Sequence, residues 1–220
     1  MTSLEQFLAP VWAQLPEKRL CRVSALAVRG ILAGQSPLLS EMARGGQPED
    51  VVNWPLAKRF YRFVANERCA HRRLLKGLYG IAQRAVTRYP RPYLVVALDP
   101  VNFEKPYTTA LPGVSTVLKS TPPGPKGEKR LTPGYPAITA TIVNLPEPVI
   151  SYANWFSYQT ADFVSENREI YRAIRITRAL FPGKPLRFVG DSGLDDQKIF
   201  AQVASVAGQF IFRVKHEDRL

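Results

Sequence analysis

Apolar residues in the first 90 positions recur at helical spacing, broken by short polar stretches. Leu4 to Leu15, Leu20 to Leu32 and the Lys58 to Val86 region each place apolar side chains three and four apart, and no strand-like alternation intervenes. Gly30, Gly34, Ser36-Pro37, Gly45-Gly46 and Asn53-Trp54-Pro55 punctuate the series as stops, caps and first-turn prolines. Ser36 is expected to be an N-cap, with Pro37 at the first helical position. The pattern predicts short helices joined by tight turns, a setting that suits a helix-turn-helix.

After Tyr89-Pro90-Arg91-Pro92 the period changes. The prolines end the last helix, and Tyr93 to Leu98 reads as a buried strand. The stretch from Tyr107 to Pro133 is rich in Gly, Pro, Thr and Lys and is expected to be a mobile basic loop. Ala137 to Val143 and Val149 to Tyr158 read as strands joined by a turn at Asn144-Leu145-Pro146-Glu147-Pro148. Ser165 to Phe181 predicts a helix with Ile170, Ile174 and Leu180 on one side, closed by Pro182-Gly183. A strand from Leu186 to Val189, a helix from Asp195 to Ala207 and a last strand from Gln209 to Lys215 complete the series. The expected fold is α/β, a mixed sheet with flanking helices behind an all-helical domain, divided as 1–90 and 91–220.

Two apolar runs stop on an aspartate: Tyr93-Leu94-Val95-Val96-Ala97-Leu98 at Asp99, and Leu186-Arg187-Phe188-Val189-Gly190 at Asp191. An acid at the carboxyl end of a buried strand sits at the rim of a sheet, where carboxylates from separate strands converge on a divalent cation. The structural alternative makes Asp99 a turn acid before Pro100 and Asp191 a turn or helix cap.

Charge adds a partner. The chain of 220 residues carries a formal net charge of +12, which favours polyanions such as nucleic acid or acidic membrane surfaces. The excess is concentrated early, with 14 Lys and Arg against 6 Asp and Glu in residues 1–90. Lys58, Arg59, Arg62, Arg68, Arg72, Arg73 and Lys76 recur at spacings of three and four. As a stripe they would neutralise phosphates, with Tyr61 and Phe63 anchoring the helix or touching sugar and base; the alternative is a solvated helix face. Lys126, Lys129 and Arg130 in the basic loop, and Arg213 and Lys215 on the last strand, are further candidates for phosphate contact. Trp54, Trp155 and the phenylalanines of the last strand are expected in the core.

Composition also excludes. No window approaches 18 uninterrupted apolar residues, and Met1 to Glu5 lacks the start of a secretory signal, so a cytoplasmic protein without a membrane segment is expected. Cys21 and Cys69 form no CxxC or Cys/His cluster and read as buried thiols. GxxxxGK[ST] and GxGxxG are both missing. Gly190-Asp191-Ser192-Gly193 matches the surroundings of a chymotrypsin-like serine, and His71, Asp99 and Ser192 follow that triad's order. His71, however, lies in an Arg-rich helix, and Leu194 replaces the expected glycine.

The element order, the Leu94-Val-Val-Ala-Leu-Asp99 strand, the Gly190-Asp191-Ser192-Gly193 turn with Asp195-Asp196 opening a helix, and the Phe210-Ile-Phe-Arg-Val-Lys215 strand resemble the ribonuclease-H-like core of DDE transposases. With the basic helical N-terminal part, the chain is similar to bacterial insertion-sequence transposases of the insertion-sequence-4 family over most of its length. The resemblance implies phosphoryl transfer on transposon-end DNA, Mg²⁺ or Mn²⁺ held between Asp99 and Asp191, and a homodimer on paired ends. It departs from the family in lacking the later glutamate of the Tyr/Arg/Glu/Lys motif, since Glu217 and Asp218 leave the last strand too early to replace it. Pro100-Val101-Asn102 follows the first acid where relatives carry small or hydroxyl residues. The expectation is a truncated transposase whose isolated chain lacks catalysis, with a noncatalytic DNA-binding remnant and a related metal-dependent nuclease as the other readings.

Overall fold

The computed structural model describes residues 3–45, 53–69, 71–108, 110–120 and 130–214. They fall into two compact units, Met1–Ile81 and Ala82–Leu220.

The first unit is helical. It holds α1 (Ser3–Trp12), α2 (Lys18–Gly34), α3 (Leu39–Gly45), α4 (Trp54–Val64), a 3-10 turn (Glu67–Cys69) and the start of α5 (His71–Arg88), which continues into the second unit. Leu20, Ser24, Ala27 and Gly30 are the buried residues of α2, spaced by three and four as one helix face. Ala27 joins Met42, Ala43, Leu56, Ala57 and Phe60 in the core.

Gly30 is not a stop, as the sequence pattern suggested, but an interior contact of α2. A Cβ there would lie 2.3 Å from the Met42 carbonyl oxygen, and one on Gly45 would lie 2.5 Å from the Gly34 nitrogen. Missing side chains thus let α2 and α3 touch backbone to backbone. The helix ends instead at Gln35, which takes a left-handed φ of 48°. The expected cap also shifts: Ser36 Oγ accepts the Leu38 N–H at 3.2 Å, and α3 begins at Leu39.

The second unit contains a six-stranded mixed sheet made of β1 (Leu94–Glu104), β2 (Ser115–Leu118), β3 (Leu131–Ile142), β4 (Val149–Trp155), β5 (Leu186–Gly190) and β6 (Gln209–Phe212). The order is β2-β3-β1-β5-β6. β4 lies along the stretch of β3 from Ala137 to Ile142, beyond the end of β2. β1 runs antiparallel to β3 and parallel to β5, which is parallel to β6. Strand β2 falls inside the stretch expected to be loop, and β3 starts six residues earlier than expected, so part of that stretch is hairpin. This order is compatible with a ribonuclease-H-like arrangement.

One face of the sheet is dry. Leu94, Val96, Leu98, Ile138, Ala140, Ile142, Leu186 and Phe188 point to it, with Ile170, Ala173 and Ile174 of α6 (Glu166–Leu180) and Ile199 and Val203 of α7 (Gln197–Ser205) also buried. Thr177 and Ala173, rather than Leu180, complete the buried stripe of α6. Ser165 caps α6, accepting the Arg168 N–H at 3.2 Å. Helix α7 begins at Gln197, two residues later than expected, because Asp196 is its N-cap. Odd-numbered residues of β1 and β3 point to the opposite face, where Val95, Ala97, Thr139 and Thr141 are only half-buried.

Candidate functional site

Both aspartates reach that open face. In β1 the alternation that buries Val96 and Leu98 turns Asp99 the other way, in line with Val95 and Ala97. The parallel pairing of β1 with β5 runs through Ala97 and Val189. Two residues beyond that pair come Asp99, still in β1, and Asp191, just past the end of β5. Asp191 keeps an extended backbone, with φ −79° and ψ −175°, so the alternation still holds there.

The chain does not stop at Asp99. β1 continues to Glu104, paired with β3 alone, while β5 ends at Gly190. The sequence pattern misplaced this end because Pro100 reads as a breaker. Odd residues of β1 carry the bonds to β3, as the Val143 N–H to Val95 carbonyl (2.9 Å) and Lys105 N–H to Pro133 carbonyl (2.7 Å) show. The N–H that Pro100 lacks would face the other flank, past the end of β5, so the ladder stays intact. Asp99 therefore stands at the point where the parallel part of the sheet stops.

Electrostatics registers the closeness. Partial burial of the Asp99 carboxyl, and then the charge of Asp191, raise its pKa above the ordinary aspartate value. Asp191 is held by its turn: its Oδ1 accepts the Gly193 N–H at 2.9 Å, leaving Oδ2 outside that bond. Asp191 is thus a turn cap, as the structural alternative expected. A Cβ on Gly190 would come within 2.2 Å of a methyl of Leu194, itself fully buried, so the glycine lets strand and turn close together beneath the acid.

A carboxylate whose ionisation is disfavoured by burial and by a neighbouring acid is of the kind that a hard divalent cation would relieve. Mg²⁺ keeps several waters and is commonly bound by one or two carboxylates together with substrate phosphate. Among the described residues no group of three His, Cys, Asp or Glu side chains is placed to hold a metal. Asp196 is occupied otherwise, accepting the Lys198 N–H at 2.7 Å and the Asn167 amide at 3.0 Å. Glu217 and Asp218 lie outside the described residues, as do Lys126, Lys129 and Lys215. Arg213 follows β6, its N–H donating to the Gly190 carbonyl at 3.3 Å, at the register position next to Asp191. Arg130 is exposed at the start of β3, where its carbonyl accepts the Lys119 N–H.

In the helical unit, Lys58, Arg59, Arg62, Arg68, Arg72, Arg73 and Lys76 are all exposed. Leu56, Ala57 and Phe60 hold α4 to its core, so Phe60 is the anchor expected of Tyr61 and Phe63. Trp54, Lys58, Tyr61 and Arg62 follow one another at spacings of four, three and one on the outer face, with the Lys58 ammonium 5.2 Å from the Trp54 ring centroid. Trp54 is 58% exposed rather than buried in the core. Arg68 differs from the others in pairing with Glu17. Cys21 and Cys69 are free and half-buried; burial, and then Cys21, push the Cys69 thiol up. Ser192 opens a 3-10 turn after a parallel strand, a setting unlike the barrel of a chymotrypsin-like protease.

Fold and site together define a mixed α/β protein with paired acids on an open sheet face and a basic helical surface. No family model matches the chain, and no curated protein matches it in sequence. Among solved structures it is similar to Mos1 chains in a strand transfer complex and in a transposase paired-end complex with the left transposon end, each at TM-score 0.33 and 14% identity over 93% of this chain. It spans 61% and 62% of those chains, about three fifths of their length. A TM-score this low leaves the reading of the site to the chain's own geometry. No described helix is long and apolar enough to cross a membrane.

Proposed function

We propose that the chain belongs to a DNA phosphoryl-transfer enzyme of the DDE transposase type, similar to the insertion-sequence-4 family and acting at transposon ends. The observation that supports this reading is the parallel pairing of β1 with β5, which ends two residues before Asp99 and Asp191, together with the electrostatic effect of Asp191 on Asp99. Asp99 and the outer oxygen of Asp191 would hold Mg²⁺ or Mn²⁺. A divalent ion held there would supply Lewis-acid polarisation of a phosphoryl oxygen and activation of water or a 3′ hydroxyl. The Gly193 N–H fixes the Asp191 carboxylate in orientation, and Arg213 stands where it can take a phosphate oxygen. Lys58, Arg59, Arg62, Arg72, Arg73 and Lys76 supply salt-sensitive affinity for the duplex backbone, in the cytoplasm and with two copies on paired ends.

The test is nicking of labelled transposon-end DNA with Mg²⁺, comparing the chain with Asp99→Ala and Asp191→Ala. Metal-dependent nicking abolished in both variants supports the enzyme. Nicking that survives both substitutions overturns the site. A second reading, DNA binding without cleavage, is favoured by the convergence of only two acids among the described residues. Salt-sensitive binding with no nicking in any variant would select it.

A further inference from the structure

The chain has two cysteines, far apart in sequence and both in the helical unit, and neither the acids nor the basic surface uses them. Cys21 lies in the first turn of α2, and Cys69 ends the 3-10 turn that leads into α5. An exposed ion pair joins their neighbourhoods. Arg68, next to Cys69, pairs with Glu17, whose carbonyl accepts the Cys21 N–H at 3.2 Å one helical turn away. The Cys21 thiol is close enough to Cys69 to oppose its ionisation. Both thiols are free and half-buried, within reach of a small reagent, and Cys21 Sγ donates a long bond to the Trp12 carbonyl at 3.5 Å. Among the described residues no group of three His, Cys, Asp or Glu side chains is placed to hold a metal. The neighbourhood therefore offers a dithiol rather than the ligand set of a zinc site.

We propose that Cys21 and Cys69 form a reversible disulfide that pins the turn before α5 to α2 and, by keeping Arg68 on Glu17, withdraws one phosphate contact from the basic surface. An exposed ion pair opens at little cost, so in the dithiol form Arg68 can exchange the Glu17 carboxylate for a phosphate. A covalent tie at the adjoining residue holds the turn where the pair is made. The oxidant is a small-molecule disulfide. The thiolate of Cys21 attacks one of its sulfurs and expels a thiolate, leaving a mixed disulfide; Cys69 then gives up its proton, attacks the Cys21 sulfur and expels the second thiolate. Two protein thiols are oxidised and one small disulfide is reduced to two thiols. Cys69 attacks second because burial, and then Cys21 and Glu17, keep its thiol protonated. The effect on DNA rests on the nucleic-acid reading above, whereas the bond itself does not.

The experiment treats the full chain with oxidised glutathione, removes the reagent, alkylates the remaining thiols, and reads intact mass, thermal midpoint and affinity for a labelled DNA duplex. The expected product is a monomer with neither glutathione nor alkyl groups attached. Its helical unit should melt roughly 10 °C higher than the reduced form. Duplex affinity should be about five- to tenfold weaker near ~0.1 M salt, with a salt slope smaller by about one, and dithiothreitol should restore all three readings. Cys21→Ser and Cys69→Ser should each abolish the cross-link and the loss of affinity. Glu17→Gln should still cross-link but lose the drop in affinity, because Arg68 then has no carboxylate to be held on; this distinguishes control of Arg68 from general stiffening. Thiols that remain open to alkylation, glutathione retained on both cysteines, or a cross-link that joins two copies overturns the disulfide. Cross-linking that leaves duplex affinity unchanged overturns its control of DNA binding. No duplex binding by either form sinks the phosphate contact together with the nucleic-acid reading, and mass and melting then decide the disulfide by themselves.

Discussion

Burial first, and the neighbouring Asp191 second, hold the Asp99 carboxyl above its usual range. A group whose pKa is higher in the folded than in the unfolded chain holds its proton more tightly when folded. Its favourable contribution is complete below the unfolded value and disappears as pH rises through the folded one. Between those two values the stability of the second unit should therefore fall with rising pH, against the usual carboxylate trend. Asp99→Asn should flatten this segment and raise the thermal midpoint at pH 7 by about 1–2 °C, the scale of a surface change of ~0.5 kcal/mol. Thermal melts of the two proteins at pH 4 to 7 check this, and parallel curves would refute the coupling. Residue identity was legible in the sequence: both acids stand out as ends of apolar runs. Their adjacency was not, because nothing local states that β5 pairs with β1 in the register that ends two residues before Asp191 and Asp99.

At the scale of elements, backbone packing and exposed charge decide different outcomes. Gly30 lies where α2 meets the carbonyl of Met42, so Gly30→Leu has no volume to occupy. It should destabilise the helical unit by about 2–3 kcal/mol, the cost of overpacking, visible in denaturant titration followed by helical circular dichroism. The outer face of α4 and the start of α5 should do the reverse, costing binding and not stability. Replacing Lys58, Arg62, Arg73 and Lys76 with alanine should lower the slope of log affinity against log salt by about one for each phosphate no longer neutralised. Melting temperature should stay within about 2 °C, since these side chains are exposed. Helical periodicity predicted most of these elements. It misread Gly30 and Pro100, because a glycine packed on another backbone and a proline on a vacant flank look the same in sequence as breakers.

For the whole molecule, a metal held by the proposed acid pair would be linked to stability. A cation that binds the folded site and not the unfolded chain raises the midpoint by mass action, by ~2.7 kcal/mol at one hundred times its dissociation constant. Millimolar Mg²⁺ should raise the thermal midpoint of the wild-type chain, and the rise should vanish in Asp99→Asn and in Asp191→Asn. A rise that persists in both variants would place the metal elsewhere.

The amino-acid sequence alone determined which residues are apolar, where helical and strand periods change, where charge accumulates, and which two acids end buried runs. These are local properties, carried by spacing and side-chain chemistry. Only the tertiary structure decided that β1 outlasts β5, that Asp99 and Asp191 share a face, and that Trp155 stands exposed when its composition suggested core. Strand pairing joins residues far apart along the chain, and the face a side chain takes depends on register, which no single segment encodes.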